Sequence, residues 1–293
     1  MRKNQATLTA AEKTAFVDAL LELKRQGVYD RFVRTHDEFV MSDSDFGPRV
    51  AHRSPSFLPW HRYFLIEFER ELQRVAPSVF LPYWDWTDDR SPEASLWGED
   101  FLGGDGRAED GQVTNGAFAG DRGAWNITDR VDTWTSLRRS MGARGRTLPT
   151  RREVDSVLAL ATYDQRPWNS RSQGFRNRLE GWVGANLHNR VHTWVGGNMV
   201  SGTSPNDPVF WLHHCFIDKL WADWQRLHPE STYLPLRPTA DVVSLHDRMR
   251  PWNTVRPVDM LDHTSYYSYD TDPDTGTSPD TDTDPDTGTD EDG

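Results

Sequence analysis

The chain has 293 residues and a formal net charge of −12, but ten of its 45 acidic side chains fall in residues 270 to 293, which hold no Lys or Arg. Residues 1 to 269 therefore carry a net charge of only −2, and no basic excess favours nucleic acid as a partner. Thirteen Trp, thirteen Phe and eight Tyr exclude a disordered body, and the single Cys215 excludes an intramolecular disulfide framework or a Cys-rich metal site.

The N-terminal stretch MRKNQATLTAAEK lacks the apolar run of a secretory signal peptide, and no later stretch approaches the roughly 18 apolar residues of a membrane span. Thr9-Ala-Ala-Glu12 is a capping box, and Gly27 supplies a stop, so the first helix is expected over 10 to 26. Val28, Tyr29, Phe32, Val33, His36, Phe39 and Val40 repeat at three and four residues, which predicts an amphipathic helix with His36 on its apolar side. A third helix lies between Pro55 and Pro77, with Pro59 tolerated in its first turn and His61 on the apolar stripe. LPYWDW at 81 to 86 reads as a buried aromatic corner. Residues 87 to 149, rich in Gly, Asp, Ser and Arg, read as surface loops with at most a short strand or two.

A helix near 151 to 162 follows, then short helical segments over 175 to 182 and 186 to 197, the latter closed by Gly196 and Gly197. Asn206-Asp207-Pro208 opens a further helix that Pro229 stops near Leu227, and residues 230 to 263 look irregular. Residues 270 to 293 repeat the octamer DTDPDTGT and contain no large apolar residue. They are expected to be an acidic disordered tail appended to a body of residues 1 to 269. The fold class is mainly α, with long irregular loops and few short strands.

Seven of the ten histidines form two groups: His36, His52 and His61 in front, and His188, His192, His213 and His214 behind. Imidazoles on the apolar faces of several helices would strand their nitrogens unless something binds them. His188 and His192, at i and i+4, stand above one another on one helical face. Zinc peptidases share that spacing but place Glu after the first His, where this chain has Asn189. Di-iron bundles place Glu three residues before a ligating His, and Val33, Leu58, Ala185, Asn189 and Trp211 occupy those positions. What remains is two sets of imidazoles with no clear carboxylate or thiolate, a donor set that suits copper as well as zinc. Periodicity does not separate His213 from His214, since both continue apolar stripes.

His36, His52 with RSPSFLPWHRYFLIEFE after it, NLHNRVHTWVGG, and SPNDPVFWLHHCFIDKLWADWQ together resemble the tyrosinases, and in particular the compact bacterial enzymes of actinobacteria. The resemblance runs from about Arg2 to Tyr269. It implies a four-helix bundle holding a dinuclear, type 3 copper site, with His36, His52 and His61 on the first copper and His188, His192 and His214 on the second. It also implies an activity: with O2 as co-substrate, monophenols such as tyrosine are hydroxylated at the ortho position and o-diphenols are oxidised to o-quinones, as in melanin formation. Glu180 and Asn189 resemble a pair that in some bacterial relatives holds a water near the second copper and accepts the phenolic proton.

His213 is expected to be hydrogen-bonded beside His214. Asp218, one turn beyond, is a candidate partner for that site, with a capping or salt-bridge role as the alternative. Fungal and plant relatives cross-link a front histidine to cysteine; here Ala51 precedes His52 and the one cysteine follows His214, so no thioether is expected. The resemblance further implies a small companion ("caddie") protein that delivers copper and carries an export signal, which leaves a cytoplasmic or an assisted-export location equally open. Two other readings share the site: a catechol or o-aminophenol oxidase without useful monophenol hydroxylation, and a haemocyanin-like oxygen carrier.

Overall fold

The computed structural model describes residues 1–40, 49–120, 123–127 and 134–273. Among these are seven α-helices and no strand: α1 Ala10–Arg25, α2 Val28–Glu38, α3 Phe57–Val75, α4 Arg151–Leu158, α5 Phe175–Glu180, α6 Leu187–Val195 and α7 Val209–Leu227. The Thr9–Glu12 capping box forms as its sequence requires, and Thr150 with Glu153 makes a second one that starts α4. Gly27, at φ +69°, ends α1 and begins α2 without an intervening loop. At the head of α7, Pro208 fixes the entry while the Asp207 side chain accepts from the Val209 N–H at 3.1 Å.

Helix α3 packs on α7 and on α1, α1 also packs on α2, and α6 lies between α5 and α7. The seam between α3 and α7 is aromatic: Phe68 stacks on Trp211 with centroids 3.5 Å apart, and Phe64 stacks on the same indole at 5.2 Å. Trp84 and Trp86 of the LPYWDW corner are fully buried beside this seam.

Residues 87 to 149 depart from the expectation of surface loops. Among their described residues are two short 3-10 helices, Ser95–Trp97 and Ala143–Gly145, and isolated bridges of Gly106 with Val113, Gln112 with Arg138 and Asn126 with Ser136. Yet Phe101, Leu102, Val113, Phe118, Trp125 and Leu137 are buried, and Arg139 forms a fully buried pair with Asp207 at 2.8 Å. Large apolar side chains scattered without periodicity hold this segment against the body, a pattern that helix and strand templates do not detect.

The two ends of the body are stapled together. Arg2 donates its N–H to Ser268 O and accepts at its own carbonyl from Asp270 N. Its guanidinium lies 3.4 Å from the Tyr267 ring centroid and pairs with Glu69 at 3.0 Å and Asp218 at 3.4 Å. Asp218 pairs with Arg62 at 2.6 Å and accepts from the hydroxyls of Tyr267 and Tyr269. Two buried guanidinium groups thus meet two buried carboxylates. Asp218 serves this ionic cluster and no hydrogen bond joins it to His214, which settles its role as the salt-bridge alternative.

Asp270 also accepts from Asn4 N and Tyr83 OH, and Asp272 accepts from Tyr269 N, so the first residues of the acidic segment are tied to the body. The expected disordered stretch from 274 onward lies outside the described residues. No helix among the described residues is long and apolar enough to cross a membrane.

Candidate metal centre

Three elements bring the front histidines together. His36 comes from the buried stripe of α2, His61 from that of α3, and His52 from the segment between them; one ligand atom of each lies within 4.8 Å of the others. The rear set, His188 and His192 of α6 with His213 and His214 of α7, meets the same criterion. The two sets face each other across the α3–α7 seam, where the His61 and His214 rings stack at 4.5 Å.

Hydrogen bonds fix which nitrogen each ring turns inward. The Nδ1 of His36 meets Gly202 O at 2.7 Å, that of His61 meets Phe57 O at 2.8 Å, and that of His192 meets Met199 O at 2.7 Å. His52 Nδ1 faces Phe39 O at 3.4 Å, and His188 Nδ1 faces Asn189 Oδ1 at 2.9 Å. An oxygen acceptor requires a proton on Nδ1, so each of these rings presents a bare Nε2 lone pair. The turn that brings Met199 O to His192 depends on Gly197, at φ +52°, where a Cβ would lie 1.9 Å from Arg138 O.

His213 and His214 are now distinguishable. The Trp86 indole donates to His213 Nδ1 at 3.2 Å; because indole N–H can only donate, His213 carries its proton on Nε2. His214 instead aims Nε2 at the Nε2 atoms of His188 and His192, at 3.2 and 3.3 Å. The expected hydrogen bond on His213 is present, and its partner is the Trp86 indole.

These residues fit a pair of metal ions. The buried Nε2 atoms of His36 and His61 have no hydrogen-bond partner, an arrangement that costs free energy unless a cation accepts the lone pairs. Two nitrogens each bound about 2.0–2.1 Å from one ion at a tetrahedral angle would stand roughly 3.3 Å apart, close to the spacing in the rear set. Burial, reinforced by the neighbouring imidazoles, holds the His36, His61, His188 and His214 pKa values well below 6.5, and burial lowers His52 and His192 to about 4. The rings therefore stay neutral, as metal ligands must.

The same shifts set the acid sensitivity of the metal-free protein. Unfolded histidine takes up a proton near pH 6.5, whereas the folded rings resist it down to about 4. Stability contributed above pH 6.5 is thus expected to fall between pH 6.5 and 4. Thermal melts of chelator-treated protein across that window check this, and an unchanged Tm would contradict it.

A cavity of about 480 Å³ opens onto the front His36 and His52 and the rear His188 and His192, and Asn189 and Trp182 line it. Glu180 lies behind this lining. It is buried rather than a helix-surface carboxylate, accepting at Oε1 from Arg53 N at 2.6 Å and Trp182 Nε1 at 2.8 Å, and at Oε2 from Arg176 at 2.7 Å. Burial raises its pKa against the opposing effect of Arg176. Cys215 is buried against Leu81 O with its thiol pushed up to about 12, inert and tied to no histidine.

Two imidazole sets, five of the six inward rings on helices and His52 on the segment between α2 and α3, face one another beside an open cavity with no carboxylate in either cluster and define a dinuclear all-histidine metalloprotein. A family model described as the common central domain of tyrosinase matches residues 26–227, and by that match the chain belongs to the tyrosinase family. It is 64% identical over 272 residues to the tyrosinase of Streptomyces glaucescens, covering 93% of this chain and 99% of that one. It is 44% identical to the grixazone synthase of Streptomyces griseus, covering 92% and 99%. A functional unit of octopus hemocyanin shares the fold, with a TM-score of 0.64 at 21% identity over 92% of this chain and 68% of that one. The family places two copper ions and O2 at such a site, and the chain is a copper enzyme that oxidises phenols.

Proposed function

We propose that His36, His52 and His61 hold one copper and His188, His192 and His214 the other, and that the enzyme acts on both monophenols and o-diphenols. Bound copper supplies O2 binding and the redox chemistry by which a phenol gains an ortho hydroxyl and leaves as an o-quinone. The observation that carries this reading is the set of inward Nε2 lone pairs, those of His36, His52, His188 and His192 lining a cavity of about 480 Å³. The protein's share is to keep six imidazoles neutral, to fix the tautomers of His36, His52, His61 and His192 through backbone carbonyls and that of His188 through Asn189, and to admit the ring from one side.

Monophenols differ from diphenols in needing their phenolic proton removed before ring attack. Asn189 lines the cavity and orients His188, while Glu180, made more basic by burial, sits one layer behind. These two residues handle that proton through water held between them and the cavity. Glu180→Gln keeps the volume but removes the base. It is expected to lower oxygen uptake with tyrosine by about a hundredfold and with a catechol by much less. Equal losses on both substrates would assign Glu180 to holding Arg53 and Trp182 in place instead.

The 44% identity to a grixazone synthase favours one competing reading, a catechol or o-aminophenol oxidase. The same assay separates them, because that enzyme would consume O2 with the diphenol and none with tyrosine.

A further inference from the structure

Among the described residues lining the histidine cavity there is one permanent charge, the guanidinium of Arg53, and no Asp, Glu or Lys. It sits at the mouth, with its carbon 4.1 Å from the ring centroid of Trp182, an indole that is 39% exposed. Stacking occupies the face of a guanidinium and leaves its in-plane N–H donors available.

Both ends of Arg53 are held relative to one carboxylate. Its backbone N–H donates to Glu180 Oε1, and the indole under its side chain donates to the same oxygen. Its φ of +51° is a left-handed conformation that a non-glycine residue keeps only when its surroundings impose it. The guanidinium is therefore a placed group, where a surface arginine would ordinarily be free to swing.

From these observations we infer a carboxylate subsite: Arg53, shelved on Trp182, selects phenols that carry a carboxylate on a short para side chain. The inference rests on the proposed reading of this cavity as the phenol site. A phenol whose hydroxyl approaches the histidines directs its para substituent outward to the mouth. There a carboxylate can pair with the edge of the guanidinium, a geometry that suits bidentate hydrogen bonding. An ammonium in the same place meets a like charge. Substrates resembling tyrosine or an aryl propionate are thus favoured over aryl amines, and Trp182 acts as the positioning residue.

The test compares copper-loaded wild type with Arg53→Gln and Arg53→Lys on two catechols of matched size, 3-(3,4-dihydroxyphenyl)propionate and 4-propylcatechol. In Arg53→Gln the ratio of the two KM values, acid over uncharged, is expected to rise about tenfold, the loss of one charge-assisted contact. Arg53→Lys recovers part of it. In wild type, KM for the acid alone rises with ionic strength, a readout that needs no variant to fold. An unchanged ratio in Arg53→Gln together with salt-independent KM values in wild type would overturn the subsite. Failure of copper-loaded wild type to oxidise 4-propylcatechol at all would instead overturn the underlying reading of the cavity.

Discussion

His214→Gln is expected to reduce bound copper from two ions per chain to one and to lower phenol turnover about a hundredfold or more, since residues that merely orient a metal ligand already cost about tenfold to a hundredfold. The reason is geometric: His214 Nε2 is the point at which the lone pairs of His188 and His192 converge. The adjacent His213→Gln is expected to behave differently. His213 presents a protonated Nε2, and its Nδ1 is engaged by Trp86, so its loss leaves both ions in place. A Gln side chain retains an acceptor for the indole, and the cost is confined to about 1–3 kcal/mol of stability. Metal analysis of the two purified variants checks the assignment. The reverse outcome, with His213→Gln losing an ion and His214→Gln keeping both, would exchange the two roles.

The second large effect is on stability. Asp218→Asn removes one of two carboxylates from a cluster in which the guanidinium groups of Arg2 and Arg62 are fully buried. Burial opposes ionisation of Asp218, but Arg62 and Arg2 outweigh it and hold the pKa below the usual carboxylate value. Breaking a buried pair by deleting one partner strands the other charge, which costs about 3–5 kcal/mol. The urea midpoint should fall accordingly at an unchanged slope. A loss within 1 kcal/mol of wild type would mean that the cluster relaxes or admits water. Because Arg2 reaches both Glu69 and the strip around Tyr267, the same substitution loosens the contact between the two ends of the body.

Both effects concern residues that the sequence marks in different degrees. The helices that carry His36, His61, His188 and His192 were legible because apolar residues repeat at helical spacing in α2 and α3, and because Gly196 closes α6. The pairing of the histidines into two sets followed from their order along the chain. The choice between His213 and His214 did not, because both lie on apolar stripes of one helix; what separates them is the donor-only indole of Trp86, 127 residues away.

Nor could spacing reveal the carbonyls of Gly202, Met199 and Phe39 that set the ring tautomers, since a backbone oxygen has no residue signature. The two alternatives for Asp218 stayed open for a related reason. One helical turn from His214 is close in sequence, but the side chain turns toward Arg62 and Arg2 on other elements. Similarly, the buried state of Glu180 arises from Arg53 and Trp182 closing over a six-residue helix, too short for periodicity to give it a buried face.

In the proposed site, six imidazoles on two facing sets hold two copper ions that oxidise phenols with O2. The most direct measurement is oxygen consumption on adding tyrosine to protein first shown to contain two coppers per chain, with chelator-stripped protein alongside. Steady uptake accompanied by quinone absorbance, lost on stripping and recovered on adding copper, is the expected result. No uptake with either tyrosine or a catechol at full copper occupancy would contradict the account.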